Sequence, residues 1–462
     1  VTRLEEGARV AVVGAGSSGM ASCQVLQARG IPFDCFEKGS YIGGNWRYLN
    51  DNGVSSAYKS LHINTSRDLM SFATFPMPKH YPDYPGHELI NQYFNDYVDH
   101  FGFRDQIRFR TEVTKVVPGD GGWDVTVRGA GGAEATERYG AVMVANGHHW
   151  DPRWPEPPFP GQDSFAGEQM HAHHYKTPDI LEGKRVLVLG MGNSAVDIAV
   201  ESSRVAERTF LGMRRSAHIV PKYGLGRPID ELNTPFMSRL PLPLQRIGYR
   251  ALLRLVQGKM TDYGLPKPDH KLLSAHPTIS AELLPRIGHG EIAVKANIAE
   301  LDGHRVRFVD GSDEEIDLLI YCTGYKITFP FLDPDLINAE DNRIALYRRV
   351  VPPERPGLYF IGLLQPLGAI MPLAEAQSEW VADLLEGTAS LPSVDTMRRV
   401  IAREDRRMAK RYLESKRHTI EVDFYPYLRT IRRERRRRAR RRGPLSRLVA
   451  ERSHELRLGG AR

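Results

Sequence analysis

The chain has 462 residues, 41% of them apolar and 26% charged, a length that exceeds one ordinary domain and a composition that suits buried cores. No apolar run approaches the roughly 18 residues of a membrane span. The formal charge of +7 is local, because residues 432–442 hold nine arginines against Glu434, a surplus of eight, and leave the rest of the chain near neutral. That basic end lacks the interleaved aromatics of a specific nucleic-acid reader. It reads as a solvated segment, with weak contact to an anionic membrane surface as its other use, and its removal from residue 432 onward is expected to leave turnover intact.

The charged opening Val1-Thr2-Arg3-Leu4-Glu5-Glu6 leads straight into the apolar run Val10-Ala11-Val12-Val13, which leaves no room for a signal peptide. The turn Gly14-Ala15-Gly16-Ser17-Ser18-Gly19 follows at once and opens a helix pattern. Strand, tight glycine turn and helix N-terminus form a cradle for a pyrophosphate, since the backbone must adopt dihedrals that a Cβ disfavours and approach the ligand closely. Phe33-Asp34-Cys35-Phe36 reads as the next strand and ends in Glu37, eighteen residues past Gly19. An acid there accepts hydrogen bonds from ribose hydroxyls and repels a 2′-phosphate. Gly43-Gly44-Asn45-Trp46 adds a second close backbone approach beside an aromatic ring, and the site reads as FAD-binding through Gly14, Gly16, Ser18, Gly19, Glu37, Gly44, Asn45 and Trp46.

Residues 60–84 are rich in turn formers, and Gly119–Gly122 marks a hairpin. Ala141 to Ala145 is a further strand, and Asp151 to Pro160 a proline-dense connector. A second strand and turn, Val186-Leu187-Val188-Leu189 before Gly190-Met191-Gly192-Asn193-Ser194-Ala195, repeats the first. Here the following strand, Arg208 to Met213, ends in Arg214-Arg215 with no acid. Guanidinium groups pair with a 2′-phosphate by charge-assisted hydrogen bonds, so Gly190, Gly192, Asn193, Ser194, Ala195, Arg214 and Arg215 read as an NADPH site. Residues 217–285 form a proline-rich helical insertion suited to one wall of a substrate channel. Leu318-Leu319-Ile320-Tyr321 and Gly357 to Gly362 read as buried strands that return to the first sheet, with a helix over Leu373 to Leu385 and a single C-terminal helix from Met397 to Arg432. The fold class is α/β, with two dinucleotide-binding units of Rossmann type, the NADPH unit inserted in the FAD unit. The boundaries are 1–160 and 321–395 for FAD, 161–320 for NADPH, and 396–462 for the C-terminal helix and tail. Cys23, Cys35 and Cys322 make neither a metal spacing nor a disulfide framework, which fits a cytoplasmic protein without a metal. The absence of a C-x-x-C pair also argues against a disulfide reductase.

Phe165, Gly167, His171 and Tyr175 fit F-x-G-x-x-x-H-x-x-x-Y/F at every fixed position. With Gly43 to Trp46, Asn64-Thr65-Ser66-Arg67, Ser274 to Ser280 and Cys322-Thr323-Gly324-Tyr325, the chain resembles the flavin-containing monooxygenases from about residue 8 to 385. Cys322 departs from the alanine usual there, and the hydrophobic C-terminal anchor of the animal members has no counterpart. The resemblance implies FAD and NADPH, reduction of the flavin by NADPH, and formation of a C4a-hydroperoxyflavin with dioxygen. Oxygen then passes to a small-molecule amine nitrogen or sulfide sulfur, with Baeyer–Villiger oxidation of ketones as the alternative. It further implies Asn64 as the catalytic side chain and Thr65 beside it as a cofactor contact. The fingerprint residues serve as organisers in a connector between the units. Gln365 could reach the flavin face, although a turn role is nearly as good a reading. A homodimer is an open option.

Overall fold

The structure, a computed structural model, describes residues 3–411 and 419–437. Ten strands build two five-stranded sheets: β1 (Val10–Val13), β2 (Phe33–Phe36), β3 (Ile107–Arg108), β4 (Ala141–Val144), β5 (Glu168–His171), β6 (Arg185–Leu189), β7 (Arg208–Gly212), β8 (Ile292–Lys295), β9 (Leu318–Tyr321) and β10 (Leu358–Phe360). The first sheet has the order β10-β4-β1-β2-β3 and the second β8-β7-β6-β9-β5, and every pairing is parallel. Covered on both faces, their central strands are continuous apolar runs, and all four residues of β1, β4 and β9 are buried. The second sheet lies in sequence between β4 and β10, so one α/β unit is inserted in the other, as the sequence pattern predicts.

The principal helices are α1 (Ser17–Arg29), α2 (His87–Phe101), α3 (Asn193–Val205), α4 (Leu242–Gln257), α5 (Met371–Leu385), α6 (Val394–Arg411) and α7 (Phe424–Arg435). The hairpin at Gly119–Gly122 joins two strands of a three-stranded antiparallel sheet. No helix among the described residues is long and apolar enough to cross a membrane.

Three expectations change. Leu318–Tyr321 pairs with β6 in the second sheet, with Val186 opposite Leu318, and does not return to the first. A central glycine-turn strand needs a parallel neighbour on each side, and β9 gives β6 what β4 gives β1. The stretch from Phe165 to Tyr175 is not only a connector, since Glu168–His171 forms the edge strand β5 against β9. Among the described residues the C-terminal segment holds two helices and a strand, Glu421–Asp423, which runs parallel to Gln365–Leu367.

At the start of the basic stretch Arg432, Arg433, Arg436 and Arg437 are exposed, while the helix that carries them docks through Ile431, Glu434 and Arg435. Ile431 is fully buried, Arg435 pairs with Glu379 and Asp383, and Glu434 accepts from Tyr347 Oη at 2.7 Å and pairs with Arg348 at 2.9 Å. Cutting at residue 432 would therefore strip core contacts, and the remainder of the tail, 438–462, lies outside the described residues. Glu434→Ala leaves the Arg348 guanidinium without that partner in a mostly buried site. It should destabilise the fold by about 3 kcal/mol, read as a lower melting temperature with wild-type flavin content at low temperature.

Candidate active site between the two glycine turns

At the first turn Gly14 has φ +99, and a Cβ there would stand 2.8 Å from Ala145 O. At the second, Gly190 has φ +144, and a Cβ would stand 2.7 Å from Cys322 O. The two turns are thus built alike, each against the residue that follows the neighbouring strand, β4 or β9. This explains what the Cys322-Thr323-Gly324 segment does: it is the counterpart of Ala145-Asn146-Gly147. Gly19 serves packing, since its Cβ would sit 1.8 Å from Gly14 O and push α1 off β1. Ala195, fully buried in the second core, holds the corresponding place in α3.

A cavity of about 660 Å³ runs from the first turn to the start of α3, within the size range of ligand sites. Gly14, Gly16, Ser18, Glu37, Gly44, Asn45, Trp46, Asn64, Thr65, Asn193 and Gln365 line it. Gly19, Gly190, Gly192, Ser194, Ala195, Arg214 and Arg215 do not. Glu37 is buried and accepts from Ala15 N–H (2.9 Å), Gly39 N–H (2.8 Å) and Asn52 Nδ2 (3.1 Å). A carboxylate has about four acceptor positions, so Glu37 both shapes the turn and retains capacity for a hydroxyl. Gly16 and Gly44 face each other so closely that a Cβ on Gly44 would stand 3.0 Å from Gly16 Cα. Asn45 Oδ1 is committed to Ser56, accepting from its N–H and Oγ at 2.8 Å each. Asn193 Oδ1 accepts from Ile279 N–H at 2.9 Å, which leaves its amide NH₂ at the head of α3.

Asn64 Oδ1 is buried with no hydrogen-bond partner among the described residues. A buried amide oxygen of this kind calls for a donor from a ligand. With the glycine cradle, the acid at the ribose position and this orphaned amide, the residues fit FAD. The basic pair beyond β7 fits a 2′-phosphate: Arg214 is exposed and has no ion pair among the described residues, while Arg215 shares Asp269 at 3.3 Å.

The stretch that leads to Asn64 is anchored by the fingerprint region. Lys176 Nζ donates to Ser55 O (2.9 Å), Ala57 O (3.1 Å) and His173 O (3.0 Å), and Lys59 N–H donates to Lys176 O (2.8 Å). Tyr58 Oη donates to Asp197 Oδ2 on α3 at 2.5 Å, and Tyr175 Oη donates to Glu201 Oε2, one turn further on, at 2.6 Å. Burial raises the Asp197 carboxyl to about 7. The His171 ring accepts from His173 N–H through Nδ1, and burial lowers its pKa to about 4. A neutral, buried ring suits an organiser.

Sequence reading missed several cavity residues. His148, His149 and Trp150 follow Gly147 as Tyr325 and the residues after it follow Gly324, so the paired turns were the available signal. Asn52, Asp230 and Tyr249 carried none, because only folding brings the insertion and residues 50–66 together. At the far wall Gln377 accepts from Gly362 N–H (2.8 Å) and donates to Tyr427 Oη (2.6 Å), so α7 braces the side of the cavity where Gly362 meets Ser18.

Residues 7–436 match the family model described as flavin-binding monooxygenase-like. The chain is 40% identical over 436 residues to Flavin-containing monooxygenase 5 of Oryctolagus cuniculus, covering 90% of this chain and 81% of the relative. It is 35% identical over 435 residues to Dimethylaniline monooxygenase (N-oxide-forming) 2 of Rattus norvegicus, covering 91% and 81%. Among solved structures it superposes on S-allyl-L-cysteine S-oxygenase from Allium sativum with a TM-score of 0.71 at 27% identity, over 93% of this chain and 89% of that one. Cyclohexanone monooxygenase in its open form shares the fold, with a TM-score of 0.69 at 17% identity over 92% and 97%. With the first glycine turn lining the cavity and Asn193 of the second reaching it, this chain belongs to the flavin-binding monooxygenase-like family, an oxidoreductase that uses FAD and NADPH to insert an oxygen atom.

Proposed function

We propose that this enzyme oxygenates a soft nucleophile, an amine nitrogen or a sulfide sulfur, in the cavity between the two glycine turns. Bound flavin supplies the acceptance of hydride from NADPH and the activation of dioxygen. The chain supplies the rest. Glu37 and the first turn hold the adenosine end of FAD. Asn193 and Ser194 at the head of α3 take the pyrophosphate of NADPH, and Arg214 and Arg215 take its 2′-phosphate. Asn64 presents its amide to the reacting end, while Gln365 and Trp46 close the flavin side.

The observation that carries the assignment is the orphaned Asn64 amide in the cavity wall. Amine and sulfide oxygenation are the activities in the names of similar proteins, an N-oxide-forming monooxygenase and an S-oxygenase. The site also needs no buried acid–base pair to oxygenate such atoms, which are nucleophiles as they stand. Ketone oxidation is the second reading, favoured by the shared fold of cyclohexanone monooxygenase. A panel of a tertiary amine, a dialkyl sulfide and a cyclic ketone, followed by NADPH consumption and product mass, decides between them. Ester formation without N- or S-oxide would overturn the proposal.

The unpaired cysteines are in keeping with a cytoplasmic location, and a homodimer fits the proposal without being required by it. Replacing both Arg214 and Arg215 by alanine should raise the NADPH Michaelis constant at least tenfold and leave that of NADH nearly unchanged. Equal changes for the two coenzymes would remove these arginines from the 2′-phosphate site.

A further inference from the structure

The insertion between β7 and β8 brings one side chain to the cavity that the cofactors do not explain. Asp230 lies in the short turn of 3₁₀ helix Ile229–Leu232 and lines the cavity. Its Oδ2 accepts from Ser66 N–H at 2.6 Å, and its Oδ1 is buried with no hydrogen-bond partner among the described residues. No lysine or arginine among the described residues forms an ion pair with it. One further polar atom of the adjoining stretch, Asn64 Oδ1, is also buried with no hydrogen-bond partner among the described residues. Around them the wall contributed by the insertion is largely apolar, with Ile229, Leu253, Leu272 and Leu273, and its polar members are Asn233, Tyr249 and His276. One carboxylate, half committed, thus stands in a largely apolar wall, two residues by its Ser66 contact from the asparagine assigned to oxygen transfer.

A buried carboxylate without a cation is costly, and the cost is offset when a cation or strong donor reaches its free oxygen. Burial raises the Asp230 pKa above the ordinary carboxylate value, the direction expected of such a site. The ribose of FAD already has Glu37, and the 2′-phosphate of NADPH would be repelled by an acid. The occupants left are the substrate and the nicotinamide end of NADPH, and the largely apolar wall beside Asp230 favours the substrate.

We infer that Asp230 is a specificity-determining residue that receives an ammonium group of the substrate, on a part of the molecule separate from the atom that is oxygenated. The favoured substrate is an apolar amine that also carries a neutral thioether or a second, unprotonated nitrogen. The inference rests on the oxygenating function proposed above.

The test uses the FAD-loaded full chain with ω-(methylthio)alkylamines of increasing length. Each is compared with the alkyl methyl sulfide that carries a methyl group in place of the ammonium. Wild-type enzyme should prefer one of the ammonium compounds over its neutral partner by tenfold or more in kcat/KM. Asp230→Asn keeps an oxygen for the Ser66 amide and should erase that preference, mainly through KM. Turnover of the neutral sulfide and the NADPH Michaelis constant should stay within about twofold. An equal loss on both members of a pair, or a change confined to NADPH, would overturn the inference and make Asp230 a structural or cofactor residue. If wild-type enzyme oxygenates neither these sulfides nor the tertiary amine of the panel above, the proposed function fails instead, and the two failures are thereby told apart. Asp230→Glu, which keeps the charge, should restore part of the preference; its failure to do so while Asp230→Asn behaves normally would point to shape rather than charge.

Discussion

Asn64→Ala should keep its flavin and go on consuming NADPH, while product formation falls by about a hundredfold or more and hydrogen peroxide replaces the product. The expected size follows from removing a single preorganised polar group where charge develops, which costs about 10²–10³ in turnover. Three features support this proposal for Asn64. Its amide lines the cavity, its Oδ1 is buried with no partner among the described residues, and its backbone continues from the stretch that Lys176 holds through Ser55 O and Ala57 O. FAD retention is expected because the glycine turn and Glu37, which cradle the adenosine end, are remote from this amide in the chain and make no bond to it. The measurement is product formed per NADPH consumed, with peroxide assayed in parallel. Wild-type coupling in Asn64→Ala would remove this residue from the chemistry.

Gly14→Ala and Gly190→Ala should separate the two nucleotide sites. Each adds one methyl group at a positive φ, and each directs it at a carbonyl oxygen, that of Ala145 at 2.8 Å or of Cys322 at 2.7 Å. Strain in that region costs on the order of 1–3 kcal/mol before the collision is counted. The Gly14 variant should purify with little or no yellow flavin, because α1 and its pyrophosphate-binding end must move. The Gly190 variant should stay yellow, yet its flavin should be reduced by NADPH at least tenfold more slowly at subsaturating coenzyme. Equal loss of flavin in both would show that the second turn supports FAD retention rather than NADPH binding.

These two experiments also mark where the sequence was sufficient. The two glycine turns and the acid past β2 are readable because a dinucleotide site is local, and the arginines past β7 are proposed on the same ground. Strand, turn and helix are contiguous, and the residue at the end of the next strand is close to them in the chain. The fingerprint from Phe165 to Tyr175 was readable as a pattern but not as a structure. Its edge strand β5 is short and half-exposed, and only its pairing with β9 reveals it. The reading of Leu318–Tyr321 failed for a related reason. An apolar four-residue strand carries no label for the sheet it joins, and the meander of strands before it does not announce its return to β6.

The amino-acid sequence by itself determined the α/β class, the duplication, the two coenzymes and the family, since each depends on short segments whose geometry is dictated locally by glycine, by apolar runs and by one or two charges. Tertiary structure alone decided the shape of the reaction cavity. Lys176 grips the stretch leading to Asn64, α7 braces Gln377 and Gly362, and Asp230 crosses from the insertion to Ser66. All but the Gly362–Gln377 contact join residues 50 or more positions apart. A lysine that satisfies three carbonyls, or an aspartate with one free oxygen, looks in sequence like any other surface charge, and burial is what gives it a role.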